Sequence, residues 1–148
     1  MIPYNRLMIR IKYIVLFLLV LVSCYKRPVI EVPQRLTRDL KDRREYNLYV
    51  DLLNKSYEGN DTKTLAVFLS YDFVDKTTGA CHGKICAEML REKGDSTFFE
   101  AIKLLGEEDK NSVYTYFLLA DEDKYIDLRQ MINDYPKSLE PMKIYIPH

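Results

Sequence analysis

Apolar side chains recur every three or four residues along the chain from about residue 37 onward, which is the spacing of one face of an α-helix. The clearest stripe consists of Tyr46, Tyr49, Val50, Leu53 and Tyr57. Further stripes follow at residues 65–73, 85–90, 98–105, 113–120 and 125–132. The pattern therefore predicts six helices of roughly 10–16 residues each.

Residues that favour helix ends separate these stripes. The predicted ends are Gly59, which would adopt a left-handed cap, Gly94, Gly106 and Pro136. The predicted starts are Asn60-Asp61, a capping box made of Asp95 or Thr97 with Glu100, and the acidic runs 107–109 and 121–123. Residues 113–119 are β-branched and aromatic enough for a strand, but the caps around them favour a helix.

Connections between the predicted helices are very short, which makes neighbouring helices run antiparallel. Helix pairs that begin near Glu45, Gly79 and Glu108 are spaced 34 and then 29 residues apart. This spacing resembles the αα-hairpin arrays of the armadillo, HEAT and tetratricopeptide kind, in architecture only, because no residue signature of those repeats fits the pairs. The sequence predicts an all-α fold, either such an array or a compact helical bundle.

The start of the chain has the order of an export signal. Residues 1–23 carry three basic side chains and no acidic one, and residues 13–22 form an apolar run. That run is about half as long as the roughly 20 apolar residues that a membrane-spanning helix needs. The motif Leu21-Val22-Ser23-Cys24 that ends it resembles the lipobox of bacterial lipoproteins.

This resemblance implies that residues 1–23 are a signal peptide and that Cys24 becomes a mature N-terminus whose sulfur carries a diacylglycerol. In that family the new amino group is often acylated too, for instance with palmitate, and stable anchoring needs two or more chains. Tyr25 rather than Asp follows the cysteine, which by the same resemblance favours the outer membrane. Two alternatives stay open, an uncleaved signal anchor and ordinary cleavage near Ser23 that leaves a free cysteine.

Cleavage before Cys24 would leave 148 − 23 = 125 residues, enough for one domain with one core. The pattern divides them into a lipidated cysteine with an extended basic tether at 24–36, a helical domain at 37–135, and a tail at 136–148. The tail contains Pro141 and Pro147, and it is at best a short strand-like or packed extended segment.

Charge is spread unevenly along the mature chain. Residues 25–44 hold seven basic and three acidic side chains, whereas residues 45–148 hold 12 basic and 19 acidic ones. The basic segment suits contact with anionic headgroups or phosphate-rich glycolipids, or else it is a solvated linker that its charge keeps extended. The acidic body and the export signal both argue against nucleic acid as a partner.

Cys81-His82-Gly83-Lys84-Ile85-Cys86 is the one cluster of chemically reactive residue types. It is neither a C-x-x-C redox motif nor a haem attachment site, and structural zinc would need a fourth ligand, so the sequence predicts no metal and no cofactor. A disulfide between Cys81 and Cys86 is a candidate in an exported protein, provided that Cys81 lies in the turn before the helix. Otherwise both cysteines are small apolar packing residues.

The chain also contains 12 tyrosines, a side chain that suits both the edge of a core and a recognition surface. Tyr71 and Tyr114 lie off the main stripes and are the candidate binding surface. Together with the absence of any catalytic motif, these features predict a lipid-anchored envelope module that binds another envelope protein or a glycan. The alternatives are a small thiol-dependent enzyme or redox protein that uses Cys81, His82 and Cys86, and a purely structural envelope lipoprotein.

Overall fold

The computed structural model describes residues 29–40 and 42–145, without the side chain of Tyr145. The predicted signal peptide and Cys24 lie outside the described residues. The described part forms seven α-helices and a terminal 3-10 helix, and no strand occurs within it, so the predicted all-α class is confirmed. The helices are α1 (Gln34–Asp39), α2 (Arg43–Glu58), α3 (Thr62–Leu69), α4 (Lys76–Lys103), α5 (Glu107–Glu122), α6 (Leu128–Asp134) and α7 (Pro136–Leu139), followed by the 3-10 helix Glu140–Tyr145.

Helix α4 lies at the centre of the fold and contacts α1, α2, α3, α5 and α7. Its first half is buried on nearly every side, from Thr78 through Leu90 with few exceptions. Because Gly94 divides α4 into two segments, these contacts fit both predicted architectures: α4 can be the middle pair of an αα-hairpin array or the centre of a compact bundle.

Helices α4 and α5 approach each other closely because two glycines, one turn apart, lie at their interface. A Cβ atom added to Gly83 would lie 2.0 Å from the carbonyl oxygen of Tyr116 on α5. A Cβ atom added to Gly79 would lie 3.0 Å from the ring of the same tyrosine. The missing side chains therefore let the backbone of α5 rest directly on α4.

Aspartates cap several helix starts, as the pattern predicts for Asp61. The carboxylates of Asp42, Asp61, Asp75 and Asp127 each accept a hydrogen bond from a backbone N–H in the first turn that follows. Gly94 also behaves as predicted, because its φ of 77° and ψ of 161° break α4 into two segments. At Gly59 the predicted left-handed cap is wrong, since φ there is −83°.

The predicted capping box after Gly94 is replaced by a long-range contact. The Asp95 carboxylate accepts hydrogen bonds from the backbone N–H groups of Lys137 (2.9 Å) and Ser138 (2.8 Å). It therefore caps α7, which lies more than 40 residues further along the chain. The hydroxyl of Ser138 returns a 3.0 Å hydrogen bond to the carbonyl oxygen of Asp95.

Two predicted helix boundaries in the middle of the chain are wrong. Helix α3 ends at Leu69 instead of near residue 75, because residues 70–75 form a loop held by Tyr116. Helix α6 begins at Leu128 instead of at the acidic run 121–123. Asp121 belongs to the last turn of α5, and its carboxylate accepts the backbone N–H of Leu128 at 2.9 Å.

The two ends of the described chain are also more helical than the pattern predicts. Helix α1 begins at Gln34, inside the segment expected to be extended, because Ile30, Leu36 and Leu40 all enter the core. The tail forms α7 and the 3-10 helix instead of an extended segment, and Leu139 and Met142 are buried. Burial of these apolar side chains outweighs the local preference set by the prolines.

Candidate functional site

His82 lies in the middle of α4 and is completely buried in a cage of aromatic rings. The ring centroids of Tyr49, Phe68, Phe73 and Tyr116 lie 5.1–5.8 Å from the centroid of its imidazole. The hydroxyl oxygen of Tyr49 is 2.8 Å from Nδ1. Burial lowers the pKa of His82 to about 3, partly offset by a hydrogen bond to the backbone of Leu69, so the ring is neutral at any physiological pH.

Both cysteines of the cluster are buried and unbonded. The sulfur of Cys86 lies 3.5 Å from Nε2 of His82, and the sulfur of Cys81 lies 3.9 Å from the hydroxyl of Tyr125. Helix α4 begins at Lys76, so Cys81 is inside the helix and the condition for a disulfide is not met. On a continuous helix residues five apart diverge by about 140°, which directs the two sulfurs to different neighbours.

The contact between Cys86 and His82 is a Cys-His pair that the sequence analysis did not identify, although it named both residues. Their spacing of four residues brings helical side chains together. Burial raises the pKa of the Cys86 thiol far above its usual range. A nucleophilic cysteine needs a stabilised thiolate and access to a substrate. This pair consists of a neutral thiol and a neutral imidazole without solvent contact. Such a pair packs in the core and lacks the features of a nucleophilic site.

Tyr71 does reach the surface, where it forms one wall of an open groove. The groove has a volume of about 580 Å³. That volume falls within the usual range of small-molecule sites, about 300–1,000 Å³. Its lining comes mainly from the first half of α2 and consists of Asp42, Arg44, Glu45, Asn47, Leu48, Asp51 and Tyr71. We call it the Tyr71 groove.

The Tyr71 side chain is half-buried and packs against two neighbouring aromatic rings. Its ring meets that of Tyr49 edge to face at 5.0 Å between centroids, and it lies 5.3 Å from the ring of Phe73. Burial, together with the charge and hydrogen bond of the Glu45 carboxylate, raises the pKa of Tyr71. A rigid aromatic wall with a polar tip costs little entropy when it binds a partner.

The loop that carries Tyr71 is held by a second tyrosine in the core. The Tyr116 hydroxyl accepts the backbone N–H of Phe73 at 2.9 Å and donates to the Asp72 carboxylate at 3.0 Å. Burial raises the pKa of Tyr116 to about 12, so this hydroxyl keeps its proton. The close contact of Tyr116 with Gly79 and Gly83 therefore connects the α4–α5 interface to the position of Tyr71.

The groove wall combines an apolar side chain with charges of both signs. Leu48 is 55% exposed and supplies the apolar part of the wall. The carboxylates have partners within the protein: Asp42 caps α2, and Asp51 pairs with Lys55 at 2.9 Å. The mixture of aromatic, aliphatic and hydrogen-bonding groups is typical of recognition surfaces for proteins and sugars.

Tyr114, the other candidate contact, lies elsewhere. It is half-buried on α5, packs against the core, and is not part of the Tyr71 groove. Burial, and next the charge of Glu107, raises the pKa of its hydroxyl. The structure therefore does not join Tyr71 and Tyr114 into one surface.

Within residues 29–40 and 42–145 no three histidine, cysteine or acidic side chains converge in a way that could hold a metal ion. Over the same part of the chain, no helix combines the length and the apolar character required to cross a bilayer. Comparison with known proteins finds no match, whether to a family model, to a curated protein or to a solved structure.

Proposed function

We propose that this chain is an exported binding module of the bacterial cell envelope, anchored to the outer membrane by lipid on Cys24. The observation that carries the proposal is the order of residues 6–24: basic side chains, an apolar run, then Leu21-Val22-Ser23-Cys24. The resemblance to a lipobox rests on these positions. The short distance in sequence from Cys24 to Ile30, the first buried side chain among the described residues, is compatible with a folded body that is attached at its N-terminus.

The binding part of the proposal is supported by the Tyr71 groove. It is a surface hollow of about 580 Å³ with a rigid aromatic wall, an exposed leucine and several hydrogen-bonding groups. Such a surface suits a protein segment or a glycan of the envelope. Catalysis at the cysteine cluster is less well supported, because His82 and Cys86 are buried and neutral.

Intact-mass analysis of the protein purified from membranes tests the anchor. The expected mass is that of a chain starting at Cys24 with a diacylglyceryl unit and a fatty acid. A chain that retains residues 1–23 without lipid would refute the anchor.

In-cell photo-crosslinking tests the groove. A photoreactive residue in place of Leu48 should capture a discrete partner, whereas one in place of Asn133, which is exposed on α6, should not. Tyr71→Ala should reduce capture at position 48 about tenfold or more, as expected for a buried aromatic anchor. Tyr114→Ala is the matched control, because it removes an equally half-buried tyrosine outside the groove. Equal capture in both variants would exclude the groove, and a purely structural lipoprotein would give no stoichiometric adduct at either position.

A further inference from the structure

The link between Cys24 and the folded body is short. Ile30 is only 6% exposed and packs into the core, and the backbone N–H of Val29 donates to Asn54 of α2 at 2.9 Å. Ile30 lies six positions after Cys24, and a chain of that length spans at most about 20 Å. A tether reaching to residue 36 would have allowed about twice that distance. A body whose lipid is in the bilayer must therefore lie within a few side-chain lengths of the headgroups.

The first helix after this link in the chain carries exposed arginines. Arg35 and Arg38 lie on α1, and both are exposed. Arg35 and Arg38 are three residues apart, so they project about 60° from one another around the helix. Leu36, which is fully buried, occupies the other side of α1. We call the exposed side, with Arg35 and Arg38, the α1 surface.

Two of the carboxylates in this stretch are used within the protein. Asp39 accepts a hydrogen bond from the hydroxyl of Thr78 on α4, and Asp42 accepts the first backbone N–H groups of α2. Residues 45–148, by contrast, have seven more acidic than basic side chains (19 against 12). The α1 surface is thus a basic region beside the lipid link on an otherwise acidic body.

We propose that the α1 surface rests on the phosphate groups of anionic phospholipids in the bilayer that holds Cys24. The inference depends on the proposed lipid anchor and adds an orientation to it. Each basic residue close to an anionic surface strengthens attachment up to about fivefold, so two arginines contribute on the order of 30-fold. Once the lipid holds the body near the membrane, this contribution orients the body instead of recruiting it.

The test uses the lipidated protein, with its lipid verified by intact mass, in vesicles of phosphatidylcholine alone or with an equal part of phosphatidylglycerol. A fluorophore is attached at Gln34→Cys on α1 or, as a reference, at Asn133→Cys on α6; both positions are exposed. Cys81 and Cys86 are buried and do not compete for the label. Quenching by a headgroup spin-labelled lipid reports how close each position lies to the bilayer.

The expected result is stronger quenching at position 34 than at position 133, only in vesicles with phosphatidylglycerol, and lost near 0.5 M salt, where the Debye length is about 4 Å. Combined Arg35→Gln and Arg38→Gln should reduce the quenching at least several-fold. Combined Lys63→Gln and Lys103→Gln should not, although it changes net charge equally on exposed sites.

The possible outcomes distinguish a failure of the α1 surface as the membrane contact from a failure of the lipid anchor. Equal quenching at both positions, or quenching that the arginine variant leaves unchanged on a lipidated chain, would overturn the α1 surface as the membrane contact while the lipid anchor stands. A chain that carries no lipid on Cys24 would overturn both the anchor and this orientation. A loss of quenching in the lysine variant equal to that in the arginine variant would show that net charge, not the α1 surface, is responsible, and would also overturn the inference.

Discussion

Replacement of Gly83 by alanine tests whether α4 and α5 meet through their backbones. The added Cβ would lie 2.0 Å from the carbonyl oxygen of Tyr116, 2.6 Å from its carbonyl carbon and 3.1 Å from Cβ of Ala120. Carbon–oxygen contacts of this type settle near 3.3–3.6 Å, so the helices would have to separate by about 1.3 Å. The obstructing atoms are backbone atoms in the middle of α5, which cannot rotate away.

The magnitude follows from two opposing terms. Alanine is favoured over glycine inside a helix by about 1 kcal/mol. Overpacking of a tight interface costs about 1–3 kcal/mol and occasionally more, and a backbone clash lies at the upper end. We expect Gly83→Ala to lower the free energy of unfolding by about 2 kcal/mol net. For a domain of this size that corresponds to a drop in melting temperature of about 6–8 °C.

Gly79→Ala is the matched control, one turn away on the same face of α4. Its Cβ would meet only side-chain atoms, the Tyr116 ring at 3.0 Å and Leu119 at 3.2 Å, which can shift. The higher helix propensity of alanine should offset most of the cost of displacing these side chains, so we expect the free energy of unfolding to change by no more than about 1 kcal/mol. Chemical denaturation of both variants, with equal slopes against denaturant, measures the difference. A Gly83→Ala protein as stable as Gly79→Ala would refute the close backbone contact.

Three further predictions concern the buried core. Between about pH 6.5 and 4.5 the unfolded state binds a proton at His82 that the native state, with a pKa of about 3, does not. The free energy of unfolding should therefore fall on acidification with a slope that rises from about 0.7 toward about 1.4 kcal/mol per pH unit, and His82→Phe should flatten that slope in pH-dependent denaturation. Cys81 and Cys86 should resist a thiol reagent in the folded protein and yield two equivalents after denaturation, so rapid native labelling would contradict their burial. Tyr116→Phe removes two hydrogen bonds, one to a carboxylate, and should cost about 1.5–3 kcal/mol. It should also weaken capture at the Tyr71 groove, and unchanged capture would show that the loop does not need this hydroxyl.

The sequence predicts one residue of the groove but not the groove itself. Tyr71 lies off the helical stripe, which predicts an exposed contact, and its side chain does reach the surface. Its place beside Leu48 and the first turn of α2 depends on how α2, α3 and the loop 70–75 pack together. Tyr114 fits the same local pattern and lies outside the groove, so position relative to a stripe does not by itself identify a binding surface.

The sequence by itself determined the all-α class, most of the helices, the caps at Asp61 and Gly94, and the candidate lipid site. These depend on interactions between residues a few positions apart, which periodicity and capping chemistry report directly. Tertiary structure alone decided that Asp95 caps α7, that Asp121 serves α6 from the end of α5, and that residues 34–39 and 136–145 are helical. It also decided that His82 and Cys86 form a buried neutral pair instead of a reactive one. In each of these cases the partner lies on another helix, and burial against that partner outweighs the preference of the local sequence.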